Sequence, residues 1–293
     1  MTAMAETRSR TKPAVIAISS HVARGTVGNR ATALALEILG FPVWSVPTVM
    51  LPWHPGRGPA TRIVPDKRLF AAFMSDLARA PWLGEVGGIL TGYLGDSGQA
   101  SAIADLIGAV RKTNPDVIYV CDPVIGDNGG LYVPVETALA IRDRLLPLAD
   151  VATPNRFELG WLTSAGQMPV ASAARTLAAP AVIVTSALSR RMTGNLLVTA
   201  DQCLLAEHEA LARPPNGLGD LTAALFLAHR LDGHGQQAAL ERSTNSVFDL
   251  LKRSIARGAD ELTLEADSIC LTQPPSNITA RRINMAGEAE MMC

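Results

Sequence analysis

The chain has 293 residues, of which 48% are hydrophobic and 18% are charged, enough to bury the core of one large α/β domain or of two smaller domains. The net charge is −1, and basic residues cluster only in pairs such as Arg190 and Arg191, which argues against a nucleic-acid partner or an anionic membrane surface. No apolar run approaches the roughly 20 residues that a membrane-spanning helix needs.

Cysteine usage and the chain termini indicate a cytoplasmic protein. The four cysteines are widely spaced without a C-x-x-C pair, which argues against a zinc site and for reduced thiols. The N-terminal segment is polar and lacks the apolar centre of a signal peptide. Composition does not break along the chain, so we expect a flexible leader at 1–12, one domain at 13–273 and a C-terminal tail at 274–293.

The N-terminal half alternates short apolar runs with helical stretches. Residues 14–20 are a continuous apolar run, typical of a strand buried on both faces. Residues 29–39 are rich in Ala and Leu and predict a helix that Gly40 ends. A strand at 42–46 precedes a long loop at 47–65 with five prolines, and long loops in compact domains are often functional. The other predicted elements are a helix at 66–78, a strand beginning at Val86, a helix at 97–112 and a strand at 117–121.

The C-terminal half continues the alternation. Its predicted elements are helices at 136–146, 171–178, 221–231 and 236–256, strands at 150–153 and 181–186, and a hairpin of 195–199 with 202–206. Alternating strands and helices favour a mainly parallel sheet with helices on both faces, in which ligands bind beyond the carboxyl ends of the strands. The polar residues at these predicted strand ends are Ser20, Asp122, Asn155, Glu158 and Ser186.

A Gly-rich turn, Pro-Pro-Asn-Gly-Leu-Gly-Asp at 214–220, precedes the apolar helix at 221–231. Gly217 and Gly219 allow the backbone to present N–H groups at the positive end of that helix, which suits an anion. Asp220 would repel a resting phosphate, so it suits a general base for a hydroxyl that attacks a phosphoryl group held there. The alternative is that Asp220 merely caps the helix, and the segment alone does not separate the two.

Several common nucleotide and hydrolase motifs are absent from the sequence. There is no G-x-x-x-x-G-K-[ST], no G-x-G-x-x-G after the first strand and no G-x-S-x-G, which disfavours a P-loop ATPase, a dinucleotide dehydrogenase and a nucleophile-elbow hydrolase. The acids at the strand ends instead suit a hydrated divalent ion that bridges phosphates, because Mg²⁺ prefers few carboxylates and several waters.

Ordered segments over residues 14–260 resemble the pyridoxal kinases of the ribokinase-like superfamily. Ser-His-Val-Ala-Arg-Gly-Thr-Val-Gly-Asn at 20–29 is the most specific of them, and the others are at 91–93, 121–127, 132–134, 153–158, 185–186 and 217–220. The resemblance implies a three-layer α/β/α ribokinase-like fold with a central, mostly parallel sheet. It also implies ATP-dependent phosphorylation of the 5′-hydroxymethyl group of pyridoxal in vitamin B6 salvage, with pyridoxine and pyridoxamine as further acceptors, by a homodimer.

The same resemblance assigns roles to individual residues. Asp220 would deprotonate the hydroxymethyl group, while the amides of Gly217, Leu218 and Gly219 would hold the phosphoryl group. The residues implied on the acceptor side are Ser20, Val27, Val49, His54 and Tyr93. Those implied on the ATP side are Asp122, Asp127, Tyr132, Asn155, Glu158, Thr185, Ser186 and Leu218. Mg²⁺, with K⁺ as a monovalent cation, would lie near Asp122, Thr153 and Glu158.

The chain departs from the family pattern beside His54, where Pro55 stands in place of the common Thr, and inside the Gly-rich turn, where Leu218 replaces a smaller residue. Two other functions remain open: a kinase of hydroxymethylpyrimidine or another small alcohol, and a non-catalytic pyridoxal phosphate-binding protein. The apolar segment 49–53 suits an aromatic ring better than a sugar, and a pure binder has no use for a base at Asp220. Simple structural roles also stay open for four residues: Ser20 as a strand end or cap, His54 as a packed loop residue, Asn155 as a helix cap and Glu158 as a first-turn acid.

Overall fold

The computed structural model describes residues 12–164, 166, 168–188 and 191–283. The predicted leader therefore lies outside the described residues except for Lys12, as does the predicted tail beyond Ile283. The strands are β1 Ala14–Val22, β2 Val43–Leu51, β3 Val86–Thr91, β4 Ile118–Cys121, β5 Gly126–Asp127, β6 Gly130–Leu131, β7 Val151–Ala152, β8 Ala181–Val184, β9 Met192–Val198, β10 Cys203–Glu209 and β11 Arg281–Arg282.

Nine of these strands form one central sheet in the order β11-β10-β9-β8-β7-β4-β3-β1-β2, and β5 pairs with β6 as a separate hairpin. The six strands from β2 to β8 in the sheet are mutually parallel. The strands β9, β10 and β11 continue it with antiparallel pairings. The prediction of a central, mostly parallel sheet is therefore confirmed, and so is the hairpin at its end.

The helices are α1 Asn29–Ile38, α2 Lys67–Leu77, α3 Gln99–Thr113, α4 Val135–Ala140, α5 Arg156–Thr163, α6 Val170–Ala174, α7 Leu218–Leu231, α8 Gln236–Ala256 and α9 Ile269–Thr272. They cover the sheet from both sides. Ile16 of β1 packs in one cluster with side chains of α2 to α6, whereas its neighbour Val15 packs in another with α1, α7 and α8. This alternation explains why β1 is apolar throughout from Ala14 to Ile18, because both of its faces are buried there.

The helix α7 positions the site at the carboxyl edge of the sheet. Every residue from Leu221 to His229 is buried, as its apolar sequence predicts. The helix begins at Leu218, earlier than the predicted start at Leu221, and Gly217 precedes it with φ of 97°. Asp220 therefore lies within the first turn of α7 and not ahead of it.

Other predicted boundaries were also wrong, and three of them change the central sheet. β1 continues through Val22, so Ser20 lies inside this strand. β2 continues through Leu51 into the predicted loop, because an edge strand accommodates Pro47, which has no N–H for a ladder bond. Residues after Pro274 were expected to trail, yet Arg281–Arg282 pair with β10. In the described part of the chain, no helix is both long and apolar enough to cross a membrane.

His229 gives the fold a specific pH dependence. Its side chain is 3% exposed, and burial, followed by the nearby Arg242, lowers its pKa from 6.5 to about 4. Between these values the unfolded chain binds a proton that the folded chain does not, so the free energy of unfolding should fall as the pH drops through this window. We expect Tm of the His229→Leu variant to fall less than the wild-type Tm between pH 7 and pH 4.5, as measured by calorimetry. Parallel Tm profiles would contradict this assignment.

Candidate active site

Asp220 lies in the first turn of α7, where its carboxylate accepts a hydrogen bond from the backbone N–H of Gly28. Partial burial raises its pKa to about 6, and this hydrogen bond opposes the shift. The residue at the N-cap of α7 is Gly217, so Asp220 is an acid of the first turn and not the cap of this helix. A carboxylate with this pKa is largely ionised near neutral pH and can accept a proton from an alcohol.

Two glycines allow the β1–α1 turn to press against the start of α7. A Cβ atom at Gly217 would lie 2.0 Å from the carbonyl oxygen of Thr26, and Gly217 has φ of 97°. A Cβ atom at Gly28 would lie 2.4 Å from both the carbonyl and hydroxyl oxygens of Ser20. Gly219, in contrast, has open space where a Cβ would be. The N-terminal amides of α7 therefore border space that an anion could occupy.

Asn155 and Glu158 form a reciprocal capping box at the start of α5. Asn155 Oδ1 accepts from the Glu158 N–H at 2.9 Å, and Glu158 Oε2 accepts from the Asn155 N–H at 2.7 Å. The second carboxylate oxygen, Oε1, accepts from the N–H groups of Ile125 and Gly126 at 3.0 and 3.4 Å. The simple structural roles of cap and first-turn acid are thus correct for this pair, and backbone donors hold Glu158 in one orientation.

Buried carboxylates converge beside this box. Asp122, 6% exposed, accepts from the Thr153 hydroxyl at 2.9 Å, and burial, then the charges of Glu158 and Asp220, raise its pKa well above the ordinary value. Burial raises the pKa of Glu158 to about 7 against the opposing backbone hydrogen bonds. Carboxylates that repel one another in this way, with a hydroxyl alongside, fit a hydrated cation. Within the described residues, no group of three His, Cys, Asp or Glu side chains is arranged to hold a metal ion.

The predicted ATP-side residues border this acid cluster. Asp127 lies in the β5–β6 hairpin. The pKa of the half-exposed Tyr132 is raised, first by burial of its ring and second by its hydrogen bond with the Asp127 side chain. Thr185 forms an isolated β-bridge with Asn155, and the backbone of Ser186 is in the left-handed region with φ of 51°. Thr185, Ser186 and Leu218 line a cleft of about 240 Å³ between β9, β10 and α8.

Sequence reasoning missed part of this cleft. His208 and Phe248 line it with their rings stacked at 4.2 Å, and Asn195 lines it with its amide hydrogen-bonded to Thr244 at 2.9 Å. No motif marks these residues, because β9, β10 and α8 contribute them singly at wide sequence spacing.

Two of the residues predicted on the acceptor side, Ser20 and Tyr93, belong to segments that lie next to Asp220. The Tyr93 N–H donates to Ser19 Oγ at 3.1 Å, and its carbonyl accepts from the Thr48 hydroxyl at 2.6 Å. A Cβ atom at Gly92 would lie 3.9 Å from Asp220 Oδ1, which places the Tyr93 segment beside the proposed base. Ser20 is 9% exposed and lies against Gly28, as described above.

Three further predicted acceptor-side residues are placed differently from one another. Val27 lies against the Gly-rich turn, with Cγ1 3.4 Å from a Cβ built on Gly217. His54 Nδ1 lies 3.3 Å from the amide nitrogen of Asn216 in the same turn, and burial lowers its pKa. Val49 is fully buried in β2 and presents no surface to a ligand. Asn216 was not singled out in the sequence, although its place beside Gly217 is a signal that could have identified it.

Comparisons with known proteins agree on one group of enzymes. A family model described as phosphomethylpyrimidine kinase matches residues 83–265. The chain is 36% identical to pyridoxal kinase PdxY of Rubrobacter xylanophilus, over 92% of this chain and 97% of that protein. It is 37% identical to pyridoxal kinase PdxY of Granulibacter bethesdensis, over 88% and 96%. The solved structure of pyridoxal kinase from Leishmania donovani with ADP and pyridoxamine superposes with a TM-score of 0.86 at 28% identity, covering 93% of this chain and all of that one.

The Gly-rich turn yields a direct test. We expect Gly217→Ala to lower Tm by several degrees and kcat by at least about tenfold, because the added methyl meets the Thr26 carbonyl and its φ is unfavourable for alanine. Gly219→Ala is the matched control, since its methyl meets nothing within 4 Å and its Tm should stay close to the wild-type value. Thermal unfolding and steady-state kinetics make the measurement, and equal Tm values for the two variants would refute the close approach.

Proposed function

The chain belongs to the pyridoxal kinase family, and from that membership we propose how its residues transfer the terminal phosphoryl group of ATP to the 5′-hydroxymethyl group of a vitamin B6 vitamer. The observation that carries the assignment of residues is the position of Asp220. Its carboxylate has a pKa near 6, is fixed by the Gly28 N–H and lies beside the amides at the start of α7. A proton acceptor and a group of phosphoryl-binding donors therefore lie next to each other.

Asp220 acts as the general base. It takes the proton from the hydroxymethyl group as the alcohol oxygen attacks the terminal phosphorus of ATP and the bond from that phosphorus to ADP breaks, so that ADP leaves. The amides of Gly217, Leu218 and Gly219 stabilise the oxygens of the transferred group. The positive end of α7 adds to this stabilisation. Because phosphoryl transfer depends mainly on positioning and charge neutralisation, the fixed geometry of the turn is the main contribution of the protein.

The acid cluster serves the ATP phosphates. Asp122, Thr153 and, through water, Glu158 would hold Mg²⁺, which when bound neutralises phosphate charge and orients the terminal phosphoryl group. K⁺ near Asp122 and Thr153 would offset further negative charge. Asp127 and Tyr132 cover the nucleotide from the β5–β6 hairpin, and Thr185, Ser186 and Leu218 line its cleft.

Ser20, Val27, Tyr93 and His54 lie on the acceptor side and are proposed to surround the pyridine ring. Val49 is fully buried, so we propose that it supports these residues by packing and does not contact the ring itself. A hydroxymethylpyrimidine is the second candidate acceptor, favoured by the family model that matches residues 83–265. The non-catalytic alternative is not retained, because this family phosphorylates its ligand.

Cytoplasmic residence and a homodimer complete the proposal. Half of the exposed large apolar side chains of the described residues fall between positions 50 and 82: Met50, Trp53, Ile63, Leu69, Phe73 and Trp82. Leu69 and Phe73 lie four residues apart on the outer face of α2, where Leu69 is 71% exposed. Concentrated apolar surface of this kind is typical of an interaction site, and we propose that a second copy of the chain covers it.

The reaction and its base can be tested together. We expect the wild-type chain to convert pyridoxal, pyridoxine and pyridoxamine with ATP faster than hydroxymethylpyrimidine, with kcat/KM for pyridoxal falling below about pH 6 as Asp220 becomes protonated. Asp220→Asn should lower kcat by about 10²–10⁴-fold, because the amide cannot accept the proton. Coupled ADP assays and product chromatography make the measurement.

The control for this experiment is Asp76→Asn, since Asp76 is an exposed helix residue paired only with its neighbour Arg79 among the described contacts. This variant should retain wild-type turnover. Near-normal turnover in Asp220→Asn would exclude Asp220 as the base, while a preference for hydroxymethylpyrimidine would assign the acceptor to the second candidate.

The proposed dimer surface has its own test. We expect the double variant Leu69→Glu/Phe73→Glu to elute as a monomer in light-scattering chromatography where the wild-type chain elutes as a dimer, because two buried charges oppose association. Ile255→Glu, an exposed apolar position on α8, is the matched control and should leave the mass unchanged. A wild-type chain that is monomeric at all concentrations would refute the homodimer.

A further inference from the structure

Residues 52–65, called the strap below, are hydrogen-bonded to three separate segments of the chain. His54 Nδ1 lies 3.3 Å from the amide nitrogen of Asn216 in the Gly-rich turn. At the other end, Arg62 donates to the Gly95 carbonyl at 2.7 Å and to the Tyr93 hydroxyl at 3.3 Å. Between them, Arg57 reaches the loop that follows α8. The strap is thus fixed to the Gly-rich turn, to the segment that follows β3 and to the loop that follows α8.

Glu261 is the centre of the middle attachment. Its side chain is 15% exposed, and its Oε1 accepts from Arg57 Nε at 3.0 Å and from Arg24 at 3.4 Å. Asp260 pairs with the same two arginines at 2.9 Å, and its carbonyl accepts a hydrogen bond from Arg57. Four charged side chains from three separate segments therefore form one network, and networks contribute more than isolated exposed pairs.

Glu261 also reaches the turn that supports the base. Its Oε2 accepts from the Thr26 N–H at 3.4 Å, and the Thr26 hydroxyl donates to the neighbouring Leu262 carbonyl at 2.9 Å. The Thr26 carbonyl is the atom against which Gly217 packs, and Gly28, two residues on, donates to Asp220. One carboxylate therefore joins the strap over the acceptor to the turn beneath it.

We propose that Glu261 is a positioning residue that holds the strap and the β1–α1 turn together and thereby sets the affinity for the vitamer, acting through Arg57 and Thr26. The proposal rests on the proposed function, because it assumes that the acceptor alcohol binds between these two segments. Among the described residues, no hydrogen bond or ion pair of Glu261 involves the lining of the proposed nucleotide cleft, so the effect should be confined to the acceptor. The loss of one carboxylate should leave Arg57 and Arg24 with only Asp260 to bind.

The test compares Glu261→Gln with Glu265→Gln. Glu265 is a nearby acid, 60% exposed, whose described ion pair is a long one to Arg30 at 3.8 Å. We expect Glu261→Gln to raise KM for pyridoxal about tenfold while KM for ATP stays within about twofold and kcat changes little. Glu265→Gln should match the wild-type enzyme in all three constants.

A double variant separates coupling from general damage. If Glu261 acts through Arg57, then Glu261→Gln/Arg57→Gln should raise KM for pyridoxal about as much as the stronger single variant, because the interaction is already lost. Multiplicative effects, an unchanged KM for pyridoxal, or a parallel rise in both KM values with a fall in Tm would each overturn the inference. A wild-type chain that phosphorylates no vitamer would overturn the proposed function, and this inference with it. If the wild-type chain is active and Glu261→Gln leaves KM for pyridoxal unchanged, only the inference is overturned.

Discussion

The structure depends on the contact between two backbones, the β1–α1 turn and the start of α7. Gly217 allows the Thr26 carbonyl to approach where any side chain would collide, and Gly28 directs its N–H to Asp220. This contact fixes the base relative to the helix amides, which no single side chain could do. The buried, apolar helix α7 supports this contact, because packing along the length of the helix keeps its first turn in place.

The same edge of the sheet accumulates negative charge that the fold itself does not need. Burial is the largest cause of the raised pKa values of three carboxylates there, those of Asp122, Glu158 and Asp220. Such an arrangement destabilises the chain in the absence of ligands, since ionising each group opposes the others. Proteins retain strain of this kind where chemistry requires it, and bound cations, whose charge is opposite to that of the carboxylates, relieve it. We therefore interpret the acid cluster as a cost of function and the capping box as the local structure that tolerates it.

Much of this architecture could be predicted from the sequence because it arises from local patterns. Apolar runs separated by Ala-rich and Leu-rich segments predicted the strands and helices, and the rule that ligands bind at the carboxyl ends of parallel strands brought Asp122, Asn155 and Glu158 together. What escaped prediction depends on contacts between distant segments. β2 extends past Pro47 only because it is an edge strand, and Phe248 lines the proposed nucleotide cleft only because α8 folds over β10. Glu261 acquires its importance from Arg57, which lies 204 positions away, and no local pattern carries that information.

The two ends of the sheet bear on how this protein behaves when crowded. A long, regular outer strand offers free backbone groups to any neighbouring chain and is a template for fibre growth. Here β2 contains a proline, and its final segment is bridged to Ile63 through Met50, while the opposite border is a pair of arginines in a strand of only two residues. Backbone-to-backbone extension is thereby discouraged on both sides. Copies of this chain that meet at high concentration are therefore left to associate through side-chain surfaces.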